Sequence, residues 1–187
     1  MNQLWQYWKS GIADDMVNHI IQTGDQQPVA ATGLGFDGST KNLEYRSSEI
    51  RWIPAQAHTQ IRDLIWYFAI TANRNAFGFD IDYVNDIQYT TYHGDENGKY
   101  DWHCDTFWAN PTAYDRKISV VMQLSDPSEY EGGDFEIDSH YAQLPKEEIR
   151  AKGTVIVFPS FLHHRVTPVT KGTRRSLVSW VEGHKFK

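Results

Sequence analysis

Apolar positions along the chain change period once. Ile12, Met16, Val17, Ile20 and Ile21 recur near helical spacing, which predicts a helix over 12–22 ended by Gly24. Residues 25–50 lose that period and read as irregular chain with short strands, with GLGFDGST as a turn between two of them. Its glycines do not form a phosphate-loop pattern. Pro54 then opens a second helix, with Ile61, Leu64, Ile65 and Phe68 on one stripe, running to about Asn75 and packing across the outside of a sheet. His19 and His58 fall on the outer sides of these helices. Beyond them the pattern turns strand-like at 87–93, 117–124, 134–138, 154–158, 163–169 and 175–181. The stretches SDPSEYEGG and SHYAQLPKEEIRAKG are the longer connections, and His140 and His184 fall in loops with no metal role. Helices at the start and short strands after them predict a mainly β fold with flanking helices, an antiparallel sandwich or jelly roll.

A length of 187 residues fits one domain over 1–187, with helical support over about 1–80 and a catalytic β core over about 81–187. Hydrophobic content of 40% is globular, and 14% aromatic residues suit a sheet-rich protein with a lined cleft. No apolar run reaches membrane-spanning length, and MNQLWQYWKSG lacks the basic start and apolar centre of a signal peptide. A cytoplasmic location is therefore expected, the host cytoplasm if the gene is viral. A net charge of −6 without a long basic run argues against nucleic acid as the main partner. The single Cys104 excludes an internal disulfide and fits a reducing compartment. Nothing in the chain sets an oligomeric state.

The chemistry lies in YDWHCDTFW and FPSFLHHRVTPVTKGTRRSLVSW. His103 and Asp105 alternate onto one face of an extended segment, with Cys104 opposite as a buried thiol. His164 supplies a third ligand from elsewhere in the fold. Two imidazoles and one carboxylate with open positions are the ligand set of non-haem Fe(II) oxygen chemistry. TPVTKG reads as a turn, which would place Arg174 on the strand next to His164, its guanidinium holding a carboxylate of a bidentate co-substrate. Ser176 shares the Arg174 face, whereas Arg175 has the opposite parity. An H-x-D alone is common by chance; the distal His and the Arg beyond it make the pattern specific. His163 and His164 must face opposite ways in an extended segment, and the parity of Arg174 favours His164 as the ligand.

These motifs, with QYTTYHGDENGKYDWHCD, KISVVMQLSDPSEYEGGDF and GTVIVFPSFLHHRV, resemble the Fe(II)/2-oxoglutarate dioxygenases, and within them the prolyl 4-hydroxylase-like group, including short virus-encoded members. The resemblance covers roughly residues 87–183 and implies a double-stranded β-helix (jelly-roll, cupin-like) core. It implies His103, Asp105 and His164 as iron ligands and Arg174 on the distal carboxylate of 2-oxoglutarate. It adds Tyr92 on the same carboxylate, Tyr100 as a further cofactor-side or wall residue, and a glycine turn at Gly132–Gly133 beside the substrate. The implied cofactors are Fe(II), 2-oxoglutarate and O2, with ascorbate as a possible reductant.

The implied reaction hydroxylates a C–H bond while 2-oxoglutarate loses CO2 to become succinate, and Asp105 separates it from halogenases that lack this carboxylate. The implied substrate is a prolyl residue in a peptide or protein. The alternatives are a free amino acid or small molecule, a nucleic-acid dealkylase, and a non-catalytic binding module. Trp102, Phe107, Trp108 and Tyr130 are candidates for an aromatic substrate groove, with ordinary core packing as the competing reading for each. Asp134, Glu131 and the GDEN loop could draw a cationic substrate or simply be solvated.

Overall fold

A computed structural model describes residues 4–30, 44–109, 111–139 and 143–186. In chain order the elements are β1 (Gln6–Trp8), α1 (Asp14–Asp25), β2 (Arg46–Ser47), β3 (Glu49–Ile53), α2 (Thr59–Ala72), β4 (Tyr83–His93), β5 (Lys99–His103), β6 (Tyr114–Gln123), β7 (Tyr130–Gly132), β8 (Phe135–Ile137), α3 (Lys146–Ile149), β9 (Val155–Pro159), β10 (His164–Val166) and β11 (Val169–His184). The strands form two sheets. The major sheet runs β1-β9-β6-β11-β4-β3, with β7 added to the start of β11; the minor sheet runs β2-β5-β10-β8. Every named strand pair is antiparallel. The two-sheet β core with helices on one side is the expected jelly-roll class.

Both faces of the major sheet are covered, by different partners. On one face Ile87, Tyr89, Ile118, Val120, Met122, Leu177 and Val181 pack with Val17 and Ile20 of α1 and Ile61, Ile65 and Phe68 of α2. The other face turns toward the minor sheet, where Tyr92, Val121, Phe135, Phe158 and Val166 form a second apolar cluster. This division follows from period-2 alternation along β4, β6 and β11, and it leaves alternate residues of those strands free to line the space between the sheets.

Several boundaries differ from the sequence reading. Gly24 does not end the first helix. It lies buried in the last turn of α1, where an added Cβ would stand 2.5 Å from the Tyr89 ring. The sheet therefore needs glycine there for close approach. The second helix starts at Thr59 because the Pro54 carbonyl accepts from Ala57 and His58 in a separate turn. It continues as a π-helical turn over Asn73–Phe77, closed by Gly78 at φ 70°. His184 ends β11 and stacks on Tyr114, so it is not in a loop. The GLGFDGST segment and His140 lie outside the described residues.

The largest revision concerns TPVTKG. Only its first two residues break the chain; β11 begins at Val169 and pairs with β7. Arg174 therefore is not on the strand beside His164. His164 belongs to the minor sheet and Arg174 to the major sheet, facing it across the gap. Among the described residues no helix is long and apolar enough to cross a membrane.

Candidate metal and co-substrate site

The site is built on inner strands of both sheets. His103 ends β5 and pairs directly with His164 on β10. The two rings lie 4.2 Å apart, centroid to centroid. Asp105 is past the end of β5, so strand alternation does not aim it. Its backbone N–H and that of Thr106 both donate to the Ser160 carbonyl, which fixes the turn. The result is a cluster of His103, Asp105 and His164 whose ligand atoms all lie within 4.8 Å of one another. Asp105 Oδ1 is 3.8 Å from His103 Nε2, and Oδ2 is 3.5 Å from His164 Nε2. His163, by contrast, is exposed.

Hydrogen bonding prepares each ligand. His103 Nδ1 lies 2.7 Å from the Asp101 carbonyl and His164 Nδ1 lies 2.9 Å from the Leu162 carbonyl. A carbonyl only accepts, so both rings carry their proton on Nδ1 and turn the Nε2 lone pair inward, as metal-binding imidazoles do. Burial, reinforced by His164 and Arg46, pushes the His103 imidazole down to about 4, so it is neutral at pH 7. The close His103–Asp105 approach is therefore one of converging ligands rather than a salt bridge. Burial alone would raise the Asp105 carboxyl. The imidazoles of His164 and His103, the Arg116 guanidinium and the Ser119 hydroxyl outweigh it and hold the group below its ordinary value. Ser119 donates to Asp105 Oδ2 at 2.6 Å and also contacts the Ser160 hydroxyl at 2.9 Å. Neither serine was singled out by the sequence, because their position beside Asp105 exists only in the folded sheet.

Between the sheets lies a cavity of about 230 Å³ that reaches from this cluster to Arg174. Arg174 is 1% exposed, opposite Tyr92 on β4, with its guanidinium 5.3 Å from that ring. Its Nη2 donates to Gln123 Oε1 at 2.9 Å, whereas Nε and Nη1 are buried without a partner. Unpaired buried guanidinium donors are costly, and a bidentate carboxylate satisfies them. Ser176 lines the cavity from the same face, as does Tyr92, while Tyr100 stacks on His103 at 3.5 Å and forms a wall. Gly133, at φ 64°, makes room for Arg174: an added Cβ would stand 2.9 Å from Arg174 Cδ. A Nε2/Nε2/carboxylate face at one end and orphaned guanidinium donors at the other thus fit a metal-chelated dicarboxylic acid.

The remaining candidates separate. Trp102, Phe107 and Trp108 are exposed, and the Arg165 guanidinium lies over Trp102. Tyr130 is buried in the second apolar cluster beneath Arg150, so it lines no groove. Asp134 is held by Arg150 and Lys146, and Glu131 by Lys171, which accounts for both acids as structural pairs. Cys104 is half-buried rather than buried; its thiol lies 3.5 Å from the Thr106 carbonyl.

Comparison with known proteins gives a consistent placement. The profile of the 2OG-Fe(II) oxygenase superfamily matches residues 87–182, about half of the chain. A PKHD-type hydroxylase of Synechococcus sp. (strain CC9311) is 37% identical over 91 residues, covering 48% of this chain and 39% of that protein. One from Colwellia psychrerythraea is 35% identical over 83 residues, covering 43% and 35%. The matched region thus spans less than half the length of these curated relatives. Among solved structures, a Pseudomonas putida prolyl-4-hydroxylase aligns with a TM-score of 0.73 at 17% identity, over 96% of this chain and 93% of that one. A Trichoplax adhaerens prolyl hydroxylase in complex with a hypoxia inducible factor peptide fragment gives 0.73 at 14% identity, over 95% and 83%. At such identities these structures establish the fold.

Proposed function

The chain belongs to the 2OG-Fe(II) oxygenase superfamily, whose chemistry uses Fe(II), 2-oxoglutarate and O2, and on that premise we propose that it is a dioxygenase hydroxylating a C–H bond, with a prolyl residue in a peptide as the first substrate class. The observation that carries this reading is the pairing of an inward-facing His103–Asp105–His164 cluster with a buried arginine that has two unpaired donors. In this reading His103, Asp105 and His164 hold the iron, and Arg174 grips the C5 carboxylate of 2-oxoglutarate. Tyr92 and Ser176 line that end of the cavity, and Gln123 orients the guanidinium. When bound, iron and 2-oxoglutarate activate O2 for C–H hydroxylation, with succinate and CO2 as co-products.

The protein's own work is positional. Ser119 keeps the Asp105 carboxylate turned inward, the Asp101 and Leu162 carbonyls keep both imidazoles in the ligating tautomer, and the apolar cluster around Phe135, Phe158 and Val166 excludes stray water. The prolyl assignment draws on the likeness to PKHD-type and prolyl hydroxylases.

The test is mass spectrometry for a +16 Da product across proline-containing peptides and free amino acids, alongside succinate release. Turnover should require Fe(II), vanish in His103→Ala, Asp105→Ala and His164→Ala, and survive in His163→Ala. Fe(II)-independent turnover, or a dead His163→Ala beside a live His164→Ala, would overturn the assignment.

A further inference from the structure

The cavity carries more positive charge than the proposed co-substrate uses. Three arginines line it, Arg46, Arg116 and Arg174, against the single carboxylate of Asp105. A ferrous ion and a dianionic co-substrate add no net charge, and Arg174 is assigned to the latter. Arg46 and Arg116 remain.

Both are held in place by the fold, and among the described residues neither forms a salt bridge; Arg116 reaches Asp105 only by its longer-range field. The Arg46 guanidinium lies over the Tyr100 ring at 4.3 Å, and Tyr100 in turn stacks on His103. Its Nε donates to Ser48, but Nη2 is buried with no partner. Arg116 lies 3.7 Å over the Trp180 ring. It faces the cavity because of a bulge: Val181 pairs with Ile118 and Glu182 with Arg116, so Lys117 is skipped and the alternation inverts. Glu182, the acid opposite Arg116, is instead engaged by Tyr83 and Asn85. Cationic heads stacked on aromatic rings are rigid and partly desolvated, so an oxyanion in the cavity that both arginines line gains strong charge-assisted bonds. Trp52 and Trp180, 6.3 Å apart, supply apolar walls on the same side.

We propose that Arg46 and Arg116 form an anion subsite for the primary substrate, which therefore carries a carboxylate close to the carbon that is hydroxylated. This inference rests on the dioxygenase reading and narrows its substrate class. Two sources share the chemistry: the α-carboxylate of a free amino acid or C-terminal residue, and an acidic side chain next to the target residue in a peptide.

The test reads binding rather than turnover. Tryptophan fluorescence of the full chain is titrated with L-proline against L-prolinamide, and with Ac-Pro-Asp-NH2 against Ac-Pro-Asn-NH2. Each titration is run with Mn(II) and saturating 2-oxoglutarate and repeated without them. At least one acid should bind about tenfold or more tighter than its amide, and the pair that shows the difference identifies the source. Arg116→Met and Arg46→Met, which keep the apolar stem, should each remove most of that preference, in the titrations without metal as well, while leaving binding of the amide intact. Equal binding of acids and amides, or unchanged preference in both variants, overturns the subsite. Failure of the Fe(II)–2-oxoglutarate absorption band to form would sink the dioxygenase reading alone, since the metal-free titration still reports on the two arginines.

Discussion

Arg174 is the residue at which burial and function are most tightly coupled. Its Nε and Nη1 have no partner, and Lys cannot reproduce the planar fork that meets a carboxylate with two parallel bonds. Arg174→Lys is expected to weaken 2-oxoglutarate binding by about tenfold or more while Fe(II) affinity changes little. The readout is the absorption band of the Fe(II)–2-oxoglutarate complex titrated against each component. Ser119 acts one step further out. It touches Asp105 rather than the metal, and removal of such partners of metal ligands typically lowers affinity by about 10–100-fold. Ser119→Ala should therefore weaken Fe(II) binding in a direct titration, with Ser119→Thr, which keeps the hydroxyl, restoring part of it. Equal Fe(II) affinity in wild type and Ser119→Ala would show that Ser160 alone can hold the turn.

Elements show where the sequence was readable and where it was not. The convergence of His103, Asp105 and His164 on a cavity that also holds Arg174 was legible because ligand chemistry restricts residue type and spacing. The reason given for the first pair was only half right: β5 stops at His103, and a backbone contact to Ser160 aims Asp105. TPVTKG looked like a turn because Pro168 and Gly172 punctuate it, yet Gly172, at φ 72°, sits inside β11 with the Glu129 carbonyl 2.0 Å from where its Cβ would be. Close approach to β7, not a reversal, explains that glycine. Ser119, Gln123, Arg46 and Arg116 carry no motif; only strand pairing, and for Arg116 a bulge, brings the two arginines to the cavity and sets Ser119 and Gln123 behind Asp105 and Arg174. At this scale Gly133→Ala is informative. Its positive φ and the contact a Cβ would make with Arg174 should cost about 1–3 kcal/mol in urea denaturation and also loosen 2-oxoglutarate binding. A purely structural glycine would lose stability without the second effect.

For the molecule as a whole, the binding energy of the cofactors adds to that of the fold. Ligands that bind only the folded chain stabilise it by about 2.7 kcal/mol at a hundredfold excess over Kd. In a chain of this size each kcal/mol moves Tm by about 2–4 °C. Fe(II) or Mn(II) with 2-oxoglutarate should therefore raise Tm by about 5–10 °C, and a chelator should abolish the rise. His164→Ala should show no shift, whereas His163→Ala should behave as wild type. The negative net charge of the chain coexists with a cation-lined interior, so surface charge says little about what enters the cavity.

The two histidines stand on the minor sheet and the guanidinium on the major one. The spacing between the sheets then works as a caliper on chain length, set by the packed apolar residues beside it rather than by any residue that touches the acid. Oxaloacetate, one carbon shorter, should reach the iron but fall short of Arg174, and 2-oxoadipate, one carbon longer, should have to buckle. Both should support succinate-type decarboxylation poorly, and enlarging Val121 or Val166 should shift that preference without altering a single ligand.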